Sequence, residues 1–496
     1  MATNYIENTK NSSKENMTWK TLYRANRTIK TPFQIVLTDQ NEVLSCEEVI
    51  RIVPKKRLLA FGMWGDKEVA VKLFYEKQNA KRDAERDAFG IESLMQTNVP
   101  TAKLLYKGSI DKDRIHILVF EKINDAVSLE TLWQNKNNID DMRPLLQAVT
   151  IELATQHVLG ILQNDLHLRN FLITEKNIYT LDGGKIEYIE QPLDTENSIV
   201  YLALFLAQFG VGVESLQQEL FDIYAKSRGW LVKPSDIKAF HKCLAKQTEE
   251  RMRKYKRKIF RPCSSFNKIK KINKTIMYDR QYESSEFQHV LLNPDVYIDH
   301  PKALVLKAGR SSTIVKIVVD GRELVIKRYN IKNVWHGLRR CLRATRAKKS
   351  WRISQQLYAS GIATPRPIAF IENTFLGFRG KSYFIMDYLD GQHLGNYFMD
   401  HQSDMQACER MAKHSLDLLR NLTRLRITQG DLKMTNMLVA KDIPYLIDFD
   451  GALEYIFTMT LRRAFKNELN RFMQNWEDTP HIYALYDRLI HDEMIM

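Results

Sequence analysis

Hydrophobic and polar residues alternate in two segments of the chain that resemble each other. EVAVKLF contains Lys72 and ELVIKRY contains Lys327, and the period of two predicts a β-strand in each case. A helical stretch follows each strand and leads into NVPTAKLL (98–105) or GIATPRPI (361–368), each of which predicts a turn and a further strand. The order of predicted elements is therefore the same in both halves.

A second pair of similar segments lies further along each half. The segment QNDLHLRNFLI (163–173) is similar to QGDLKMTNMLV (429–439), and YTLDGGKI is similar to YLIDFDGA. The shared polar positions are Asp165, Asn170 and Asp182 in the first half and Asp431, Asn436 and Asp448 in the second. Each residue of the second set lies 266 positions after its counterpart. Two sets in the same order predict an internal repeat.

The repeat predicts a tandem duplication with a polar N-terminal segment (1–19), a first domain (20–245), a basic linker (246–284) and a second domain (285–496). Within the linker, the stretch 251–274 is basic and is expected to be irregular. It reads either as a solvated linker or domain-edge helix, or as a contact with anionic lipid or substrate phosphate.

Charge and composition narrow the class of partner. Lys and Arg number 74 against 59 Asp and Glu, a net charge of +15, which favours an anionic partner such as nucleic acid, a phosphorylated substrate or an acidic membrane surface. The five cysteines are far apart and disfavour a structural zinc site. The most apolar window, IVYLALFLAQFGVGV (199–213), is too short to span a bilayer and predicts a buried helix. No secretory signal is expected in the polar first twenty residues.

The polar landmarks suit phosphoryl transfer, which depends on charge neutralisation and alignment. A lysine on a strand can hold phosphates, a loop Asp can orient an acceptor hydroxyl, and an Asn five residues later with a following Asp can hold Mg²⁺. Protein kinases use this set, and their Asp-to-Asn spacing of five is matched twice. We therefore expect an α+β fold of two tandem protein-kinase-like domains, each bilobal with a compact C-terminal lobe.

Both copies depart from the kinase pattern. Gln-Asn and Gln-Gly replace His-Arg before the loop Asp, and the candidate glycine-rich loops at 60–69 and 307–321 are weak. The helix after the Lys strand should carry an acid, and its register places Asp87 there in the first copy but Ser350 in the second. By this criterion the first copy is expected to be the better catalyst. The second copy has the cleaner loop, in which Lys433 could reach a transferred phosphate.

At these motifs the sequence resembles the bacterial lipopolysaccharide kinases, the Kdo and heptose kinases of the WaaP type. The resemblance rests on NDLHLRNFLI with LDGG in the first half, and on VIKRYN, SWRISQQLYASGIATPRPIA, QGDLKMTN and LIDFDGA in the second. It covers roughly 50–240 and 300–455. It implies ATP, Mg²⁺ and a sugar hydroxyl of the lipid A–core glycolipid as acceptor, on the cytoplasmic face of the inner membrane of a Gram-negative envelope.

The same resemblance implies a role for each landmark. The implied phosphate-binding residues are Lys72 and Lys327, with Asp87 as the ion-pair partner of Lys72. The implied catalytic bases are Asp165 and Asp431, and the implied metal ligands are Asn170, Asp182, Asn436 and Asp448. The basic segment 337–352, with Leu338, Leu342 and Trp351 as apolar anchors, reads as either a surface for a phosphorylated glycolipid at an anionic membrane or a solvated helix face.

Three functions remain open at this point. The first is a lipopolysaccharide core kinase peripheral to the inner membrane, with no nucleic-acid partner. The second is a protein Ser/Thr kinase, which the 48 residues after Asp448 disfavour because a peptide groove needs a large C-terminal lobe. The third is a pseudokinase pair that scaffolds other core-assembly enzymes.

Overall fold

Helices and strands both occur throughout a computed structural model of the protein, which describes residues 17–37, 42–136, 138–301, 303–330, 344–375 and 378–493. The mixed α+β class predicted from the sequence is confirmed. The chain divides into two compact units. The first unit comprises Met1–Gln208 with Ser215–Gln247, and the second comprises Phe209–Glu214 with Thr248–Met496.

An antiparallel sheet forms the N-terminal part of the first unit, with the order β1-β2-β3-β4-β6-β5 among the described strands. The strands are β1 (Phe33–Leu37), β2 (Glu42–Val53), β3 (Arg57–Trp64), β4 (Lys67–Phe74), β5 (Leu104–Ile110) and β6 (Ile115–Glu121). In β4 the alternation places Val69, Val71 and Leu73 in the core. Lys72 therefore projects from the opposite face of the sheet.

The rest of the first unit is mainly helical, with short strand pairs around the loops. Its helices are α1 (Trp19–Arg24), α2 (Ala80–Gln96), α3 (Leu129–Gln134), α4 (Ile139–Val158), α5 (Thr195–Leu206), α6 (Glu214–Ser227) and α7 (Pro234–Lys258), the last of which continues into the second unit. Its short strands are β7 (Val127–Ser128), β8 (Ile161–Gln163), β9 (Phe171–Ile173), β10 (Ile178–Thr180) and β11 (Ile186–Tyr188). Strand β9 pairs with β10 and with β7, and β8 pairs with β11.

The described part of the second unit also begins with an antiparallel sheet, with the order β12-β13-β17-β18-β16-β15-β14. Its strands are β12 (Phe266–Lys271), β13 (Lys274–Asp279), β14 (Leu304–Ala308), β15 (Ser312–Val319), β16 (Arg322–Tyr329), β17 (Pro367–Phe375) and β18 (Phe378–Asp387). Strands β12 and β13 lie within the predicted basic linker. The expectation that 251–274 is irregular is therefore wrong, because α7, β12 and the start of β13 occupy most of it.

Helices and short strands complete the second unit. The described helices are α8 (Ser285–Leu292), α9 (Pro294–Ile298), α10 (Arg346–Ala359), α11 (Leu394–Asp400), α12 (Met405–Arg424), α13 (Thr458–Gln474) and α14 (Pro480–Glu493). The short strands are β19 (Gln392–His393), β20 (Ile427–Thr428), β21 (Met437–Ala440), β22 (Ile443–Leu446) and β23 (Leu453–Glu454). A core of aliphatic and aromatic side chains from α11, α12, α13 and α14 supports the loops that carry the polar landmarks.

Two sequence predictions about membrane contact can be compared with the fold. The apolar window 199–213 begins in the buried face of α5, so the predicted buried helix is confirmed as far as Leu206. Residues 337–343 of the predicted basic surface lie outside the described residues, and α10 begins only at Arg346. Trp351 is fully buried in the core, so its assignment as a membrane anchor is wrong. Across the described ranges, no helix is both long enough and apolar enough to cross a bilayer.

Candidate phosphotransfer sites

In the first unit, the lysine of β4 is paired with an acid from the following helix. Lys72 Nζ donates to Asp87 Oδ1 at 2.9 Å and to Oδ2 at 3.0 Å, and the Asp87 side chain is buried. Helix α2 lies close to the turn after Asp182 because Gly90 has no side chain. A Cβ added to Gly90 would lie only 2.0 Å from the Gly183 carbonyl oxygen. The ion pair expected from the helix register is therefore present.

The loop that carries Asp165 is held by side chains around it. Asn170 Nδ2 donates to the Asp165 backbone carbonyl at 2.9 Å, which spans the five-residue spacing. Gln208 Nε2 donates to the Leu166 carbonyl at 3.0 Å. A hydrogen bond from His167, at 3.1 Å, lowers the pKa of Asp165 despite the opposing effect of partial burial. The carboxylate is consequently kept ionised near neutral pH, as a candidate base requires.

Asp182 occupies the left-handed backbone region, with φ 68° and ψ 62°. Its neighbour Leu181 donates its N–H to the Asn170 carbonyl at 2.8 Å, which ties this turn to the Asp165 loop. Partial burial and the charge of Arg169 lower the pKa of Arg51, on β2, while Asp182 and Asp165 oppose that change. Arg51 therefore lies within electrostatic range of both candidate carboxylates, although no motif in the sequence marks it.

In the second unit, the lysine of β16 has a different partner. Lys327 is buried, and its Nζ donates to Asp448 Oδ1 at 2.6 Å and lies 3.7 Å from Asp450 Oδ1. Burial disfavours the charged form of Asp448, but the hydrogen bond from Asp450 and the Lys327 ammonium lower its pKa to about 2. Burial and the hydrogen bond to Asp448 raise the pKa of Asp450 to about 6. Asp448 is thus the more acidic member of the pair.

The helix position without an acid is used for another purpose. Ser350 Oγ lies 2.8 Å from the Tyr329 hydroxyl, and the Tyr329 ring lies beneath both Lys327 Nζ, at 5.1 Å, and the Arg346 guanidinium, at 4.8 Å. Arg346 Nη1 also lies 3.5 Å from Asp450 Oδ2. Cations over an aromatic face are stabilised by the ring quadrupole. Because Ser350 carries no charge, the carboxylates of Asp448 and Asp450 neutralise Lys327 in place of a helix acid.

The loop of Asp431 has the same internal bond as its counterpart. Asn436 Nδ2 donates to the Asp431 carbonyl at 2.8 Å, and Lys433 Nζ donates to Asp431 Oδ2 at 2.9 Å. Glu468, on α13, accepts from the backbone N–H groups of Gln429, at 3.1 Å, and Gly430. Glu468 is far from the loop in sequence, so sequence reasoning missed it and no local signal marks it.

The residues that replace His-Arg in the second unit have a structural explanation. Gln429 Oε1 accepts from the Asp431 N–H at 2.8 Å, and its Nε2 donates to the Asp448 carbonyl at 2.8 Å, so one side chain joins the two loops. Gly430 has φ 85°, and an added Cβ would lie 2.2 Å from the Gly451 carbonyl oxygen. A side chain at this position would therefore require the loops to separate.

The candidate glycine-rich loop is predicted at the wrong position in the first unit, because another turn lies nearest to the strand lysine. Lys72 pairs across the sheet with Leu59, three residues beyond the turn at 54–56 that joins β2 to β3. The predicted glycine-rich loop at 60–69 instead lies in β3, β4 and their connecting turn, so this assignment is wrong. Lys327 pairs with Ile314, three residues beyond the 309–311 turn, which does fall within the predicted 307–321 segment.

The donor set of each unit suits Mg²⁺ held together with phosphate oxygens. Because Asn436 commits its amide nitrogen to the Asp431 carbonyl, its Oδ1 is left as an acceptor, and the Asp448 carboxylate adds further oxygen ligands. Asn170 and Asp182 offer the same donors in the first unit. Within the described ranges, no group of three or more His, Cys, Asp or Glu side chains forms a metal site by itself. Mg²⁺ commonly binds through one or two carboxylates plus substrate phosphates.

Comparison with known proteins bears on the second unit. Its strand lysine, its loop Asp and Asn, and its carboxylate pair define a phosphotransferase of the kinase class. Residues 303–489 match the model of the lipopolysaccharide kinase (Kdo/WaaP) family, and this segment contains the whole set. The resemblance seen in the sequence is therefore confirmed for this part of the chain. No curated protein matches the chain.

Proposed function

We propose that the protein is an ATP- and Mg²⁺-dependent kinase that phosphorylates a sugar hydroxyl of the lipopolysaccharide inner core, and that transfer takes place in the second unit. The observation that carries this proposal is the match of residues 303–489 to the lipopolysaccharide kinases over the segment that holds Lys327, Asp431, Asn436 and Asp448. The helix acid alone favours the first unit as the catalyst, whereas the family match favours the second.

Each polar landmark residue of the second unit has a role in this proposal. Lys327 exchanges the Asp448 carboxylate for nucleotide phosphate, which frees Asp448 to bind the metal with Asn436. The metal offsets repulsion between phosphates and carboxylates when it is bound. Asp431 orients the acceptor hydroxyl and takes its proton, and Lys433, which contacts Asp431 at 2.9 Å, neutralises the transferred phosphoryl group.

The first unit is proposed to be a second protein-kinase-like domain, related to the other by tandem duplication. Its support is the recurrence of strand lysine, loop Asp, Asn and turn Asp with the same internal bonds: Asn170 to the Asp165 carbonyl, and Leu181 to the Asn170 carbonyl. In this proposal Lys72 and Asp87 form a nucleotide-binding pair, and Asn170 and Asp182 hold the metal.

The acceptor places the enzyme at the cytoplasmic face of the inner membrane. A lipid A–core glycolipid is embedded in that membrane, and the net charge of +15 favours association with its anionic surface. We therefore propose peripheral attachment. Contact with other core-assembly enzymes belongs to the scaffold alternative, which requires no phosphate transfer.

Transfer of labelled phosphate from ATP tests the proposal. The purified full-length protein is incubated with Mg²⁺, labelled ATP and either deacylated core oligosaccharide or a general protein acceptor such as casein. We expect label on the oligosaccharide, none on the protein, and loss of transfer when the metal is chelated. Label on the protein alone would favour a protein kinase, and label on neither acceptor, with no ATP turnover, would favour a scaffold.

A further inference from the structure

An exposed apolar patch follows the carboxylate loop of the second unit. It consists of Leu453, Ile456, Phe457 and Met459, whose exposed fractions are 50%, 78%, 70% and 84%. Single exposed apolar side chains are ordinary on protein surfaces, but four within seven residues concentrate exposed apolar surface in one segment, and such concentrations mark interaction sites. We call these four residues the apolar patch.

The backbone fixes this patch beside the loop that carries Asp431. Strand β23 pairs with β20, so that Leu453 faces Thr428, three residues before Asp431. Arg426 binds the turn that follows β23 through its backbone and its side chain. Its carbonyl accepts from the Tyr455 N–H at 2.8 Å, and its Nη1 donates to the Ile456 carbonyl at 2.8 Å. The apolar patch is therefore held in register with the candidate catalytic loop.

The surface around the apolar patch is basic. Met459 lies in the first turn of α13, and Arg463 and Lys466 follow it at four and seven residues, on the same exposed face of the helix. Arg462 is also exposed. The nearby acid, Glu454, is matched by two cations of the same unit, Lys256 and Arg352. Apolar side chains bordered by cations are complementary to the interface of an anionic bilayer.

The first unit shows that this turn does not require apolar residues at the positions of Ile456 and Phe457, although Leu193, the counterpart of Met459, is apolar and buried. Its strands β8 and β11 pair as β20 and β23 do, and Glu187 faces Leu162 where Leu453 faces Thr428. The 266-residue offset then aligns Ile456 with Glu190 and Phe457 with Gln191, both of which are exposed and polar. The Ile456 and Phe457 side chains thus have no evident role in forming the turn.

We propose that the apolar patch docks the second unit on an anionic lipid bilayer. Ile456, Phe457 and Met459 enter the interfacial region, Arg462, Arg463 and Lys466 contact lipid phosphates, and the Asp431 loop is thereby presented to a membrane-embedded acceptor. The choice of acceptor rests on the proposed function, whereas the docking itself does not. It also differs from the surface at 337–352 suggested by the sequence.

Vesicle sedimentation tests the docking without nucleotide or acceptor. Full-length protein is mixed with vesicles of equal parts phosphatidylcholine and phosphatidylglycerol, or of phosphatidylcholine alone. The variant Ile456→Glu/Phe457→Gln installs the residues of the first unit. Because burying one large apolar side chain is worth roughly a factor of ten or more, we expect the partition coefficient on anionic vesicles to fall at least about tenfold. Each of Arg462→Gln and Arg463→Gln is expected to lower it about fivefold.

The matched control is Leu231→Glu/Val232→Gln, which changes another adjacent pair of exposed apolar residues, 92% and 38% exposed, in the first unit. Its binding should stay within about twofold of wild type, since scattered surface residues do not insert. Thermal unfolding of both variants checks that they remain folded. Unchanged vesicle binding by Ile456→Glu/Phe457→Gln would overturn the proposal, as would equal binding to uncharged vesicles.

Two further outcomes separate the alternatives. A dimer that the Ile456→Glu/Phe457→Gln variant abolishes, without any vesicle binding by wild type, would assign the apolar patch to self-association and overturn membrane docking. Vesicle binding that depends on the patch, combined with no phosphate transfer to any acceptor, would leave the docking in place and refute the proposed function. The two proposals can therefore fail independently.

Discussion

Lys72 and Lys327 occupy corresponding strand positions but are neutralised by different carboxylates. Lys72 is bound by Asp87 from the helix, which leaves Asp182 available to a metal. Lys327 is bound by Asp448 itself, so the proposed metal ligand and the proposed phosphate ligand are paired with each other. In the proposed mechanism, binding of Mg²⁺–ATP in the second unit requires both groups to exchange partners, whereas in the first unit Lys72 and Asp182 are not paired with each other.

Removing Lys72 should destabilise the first unit. Lys72→Met leaves the Asp87 carboxylate buried without an opposing charge, which typically costs about 3–5 kcal/mol of unfolding free energy. The exposed Lys67 on the same strand provides the control, and Lys67→Met should change stability by less than about 0.5 kcal/mol. Calorimetric unfolding measures both. Adding Asp87→Asn to Lys72→Met should restore most of the loss, and failure to do so would show that the charge of Asp87 is not the cause.

A buried histidine gives the first unit a defined acid sensitivity. Burial, with a smaller contribution from Arg228, lowers the pKa of His157 to about 3, and its Nδ1 lies 2.5 Å from the Tyr224 hydroxyl. The unfolded chain takes up this proton near pH 6.5 and the folded chain does not, so the stability it contributes is present above pH ~6.5 and is lost as the pH falls toward 3.

We therefore predict that the unfolding free energy falls by about 2 kcal/mol between pH ~7.5 and pH ~5 through this residue alone. His157→Gln cannot titrate, so its stability should depend less steeply on pH over that interval. Denaturant unfolding of both proteins at a series of pH values measures the difference. Equal pH slopes for wild type and variant would show that His157 is not the group responsible.

At the scale of elements, the residues that follow the metal-binding candidate Asp determine how closely the helix can approach this turn. In the first unit, Gly183 and Gly184 follow Asp182 and pack directly against α2. In the second unit Phe449 and Asp450 stand at the corresponding positions after Asp448. The larger side chains occupy space that the glycines leave to the helix backbone, and Asp450 brings a second carboxylate near Lys327, 3.7 Å from its Nζ.

This packing predicts an unusual sign for a glycine substitution. Ala stabilises a helix interior by about 1 kcal/mol relative to Gly. Gly90→Ala should nevertheless destabilise the first unit by about 1–3 kcal/mol, because its Cβ would lie 2.0 Å from the Gly183 carbonyl oxygen. Phe89→Ala, at the neighbouring exposed position, is the control and should change stability little. Thermal unfolding that shows Gly90→Ala to be stabilising would refute the close contact.

The sequence anticipates local geometry better than contacts between distant elements. The five-residue spacing correctly indicates that Asn170 and Asn436 serve loops that begin at Asp165 and Asp431, because one side chain can close so short a loop. Helix periodicity likewise brings Asp87 to Lys72. The Glu468 contact to the Gln429 N–H could not be foreseen, since it depends on how α13 packs against a loop about forty residues away.

Basic composition also leads to a wrong prediction for one strand. The Lys-rich segment Phe266–Lys271 resembles a linker by composition, yet it forms β12 at the edge of the described sheet of the second unit. Lysines on an edge strand prevent pairing with other chains, so basic composition is compatible with a strand there. The two readings differ only in whether Phe266 and Ile269 find a core, which the tertiary structure decides.

At the scale of the whole molecule, two units with similar polar landmarks need not contribute equally to one reaction. The first unit has the ion pair of a strand lysine and a helix acid, and the second has the segment that matches the lipopolysaccharide kinases. The second unit also carries the apolar patch next to its loop, where the first has polar residues. These differences favour transfer in the second unit and a supporting nucleotide-binding role in the first.

The central claim is tested most directly by the same substitution at the two corresponding positions of the full-length protein. Asp431→Asn and Asp165→Asn each replace a loop carboxylate by an amide of equal size, and the measured quantity is the rate of phosphate transfer from ATP to core oligosaccharide. Removing a positioned base costs roughly 10²- to 10⁴-fold. We expect that loss for Asp431→Asn and a change of less than about tenfold for Asp165→Asn. A full rate for Asp431→Asn together with a lost rate for Asp165→Asn would contradict the account.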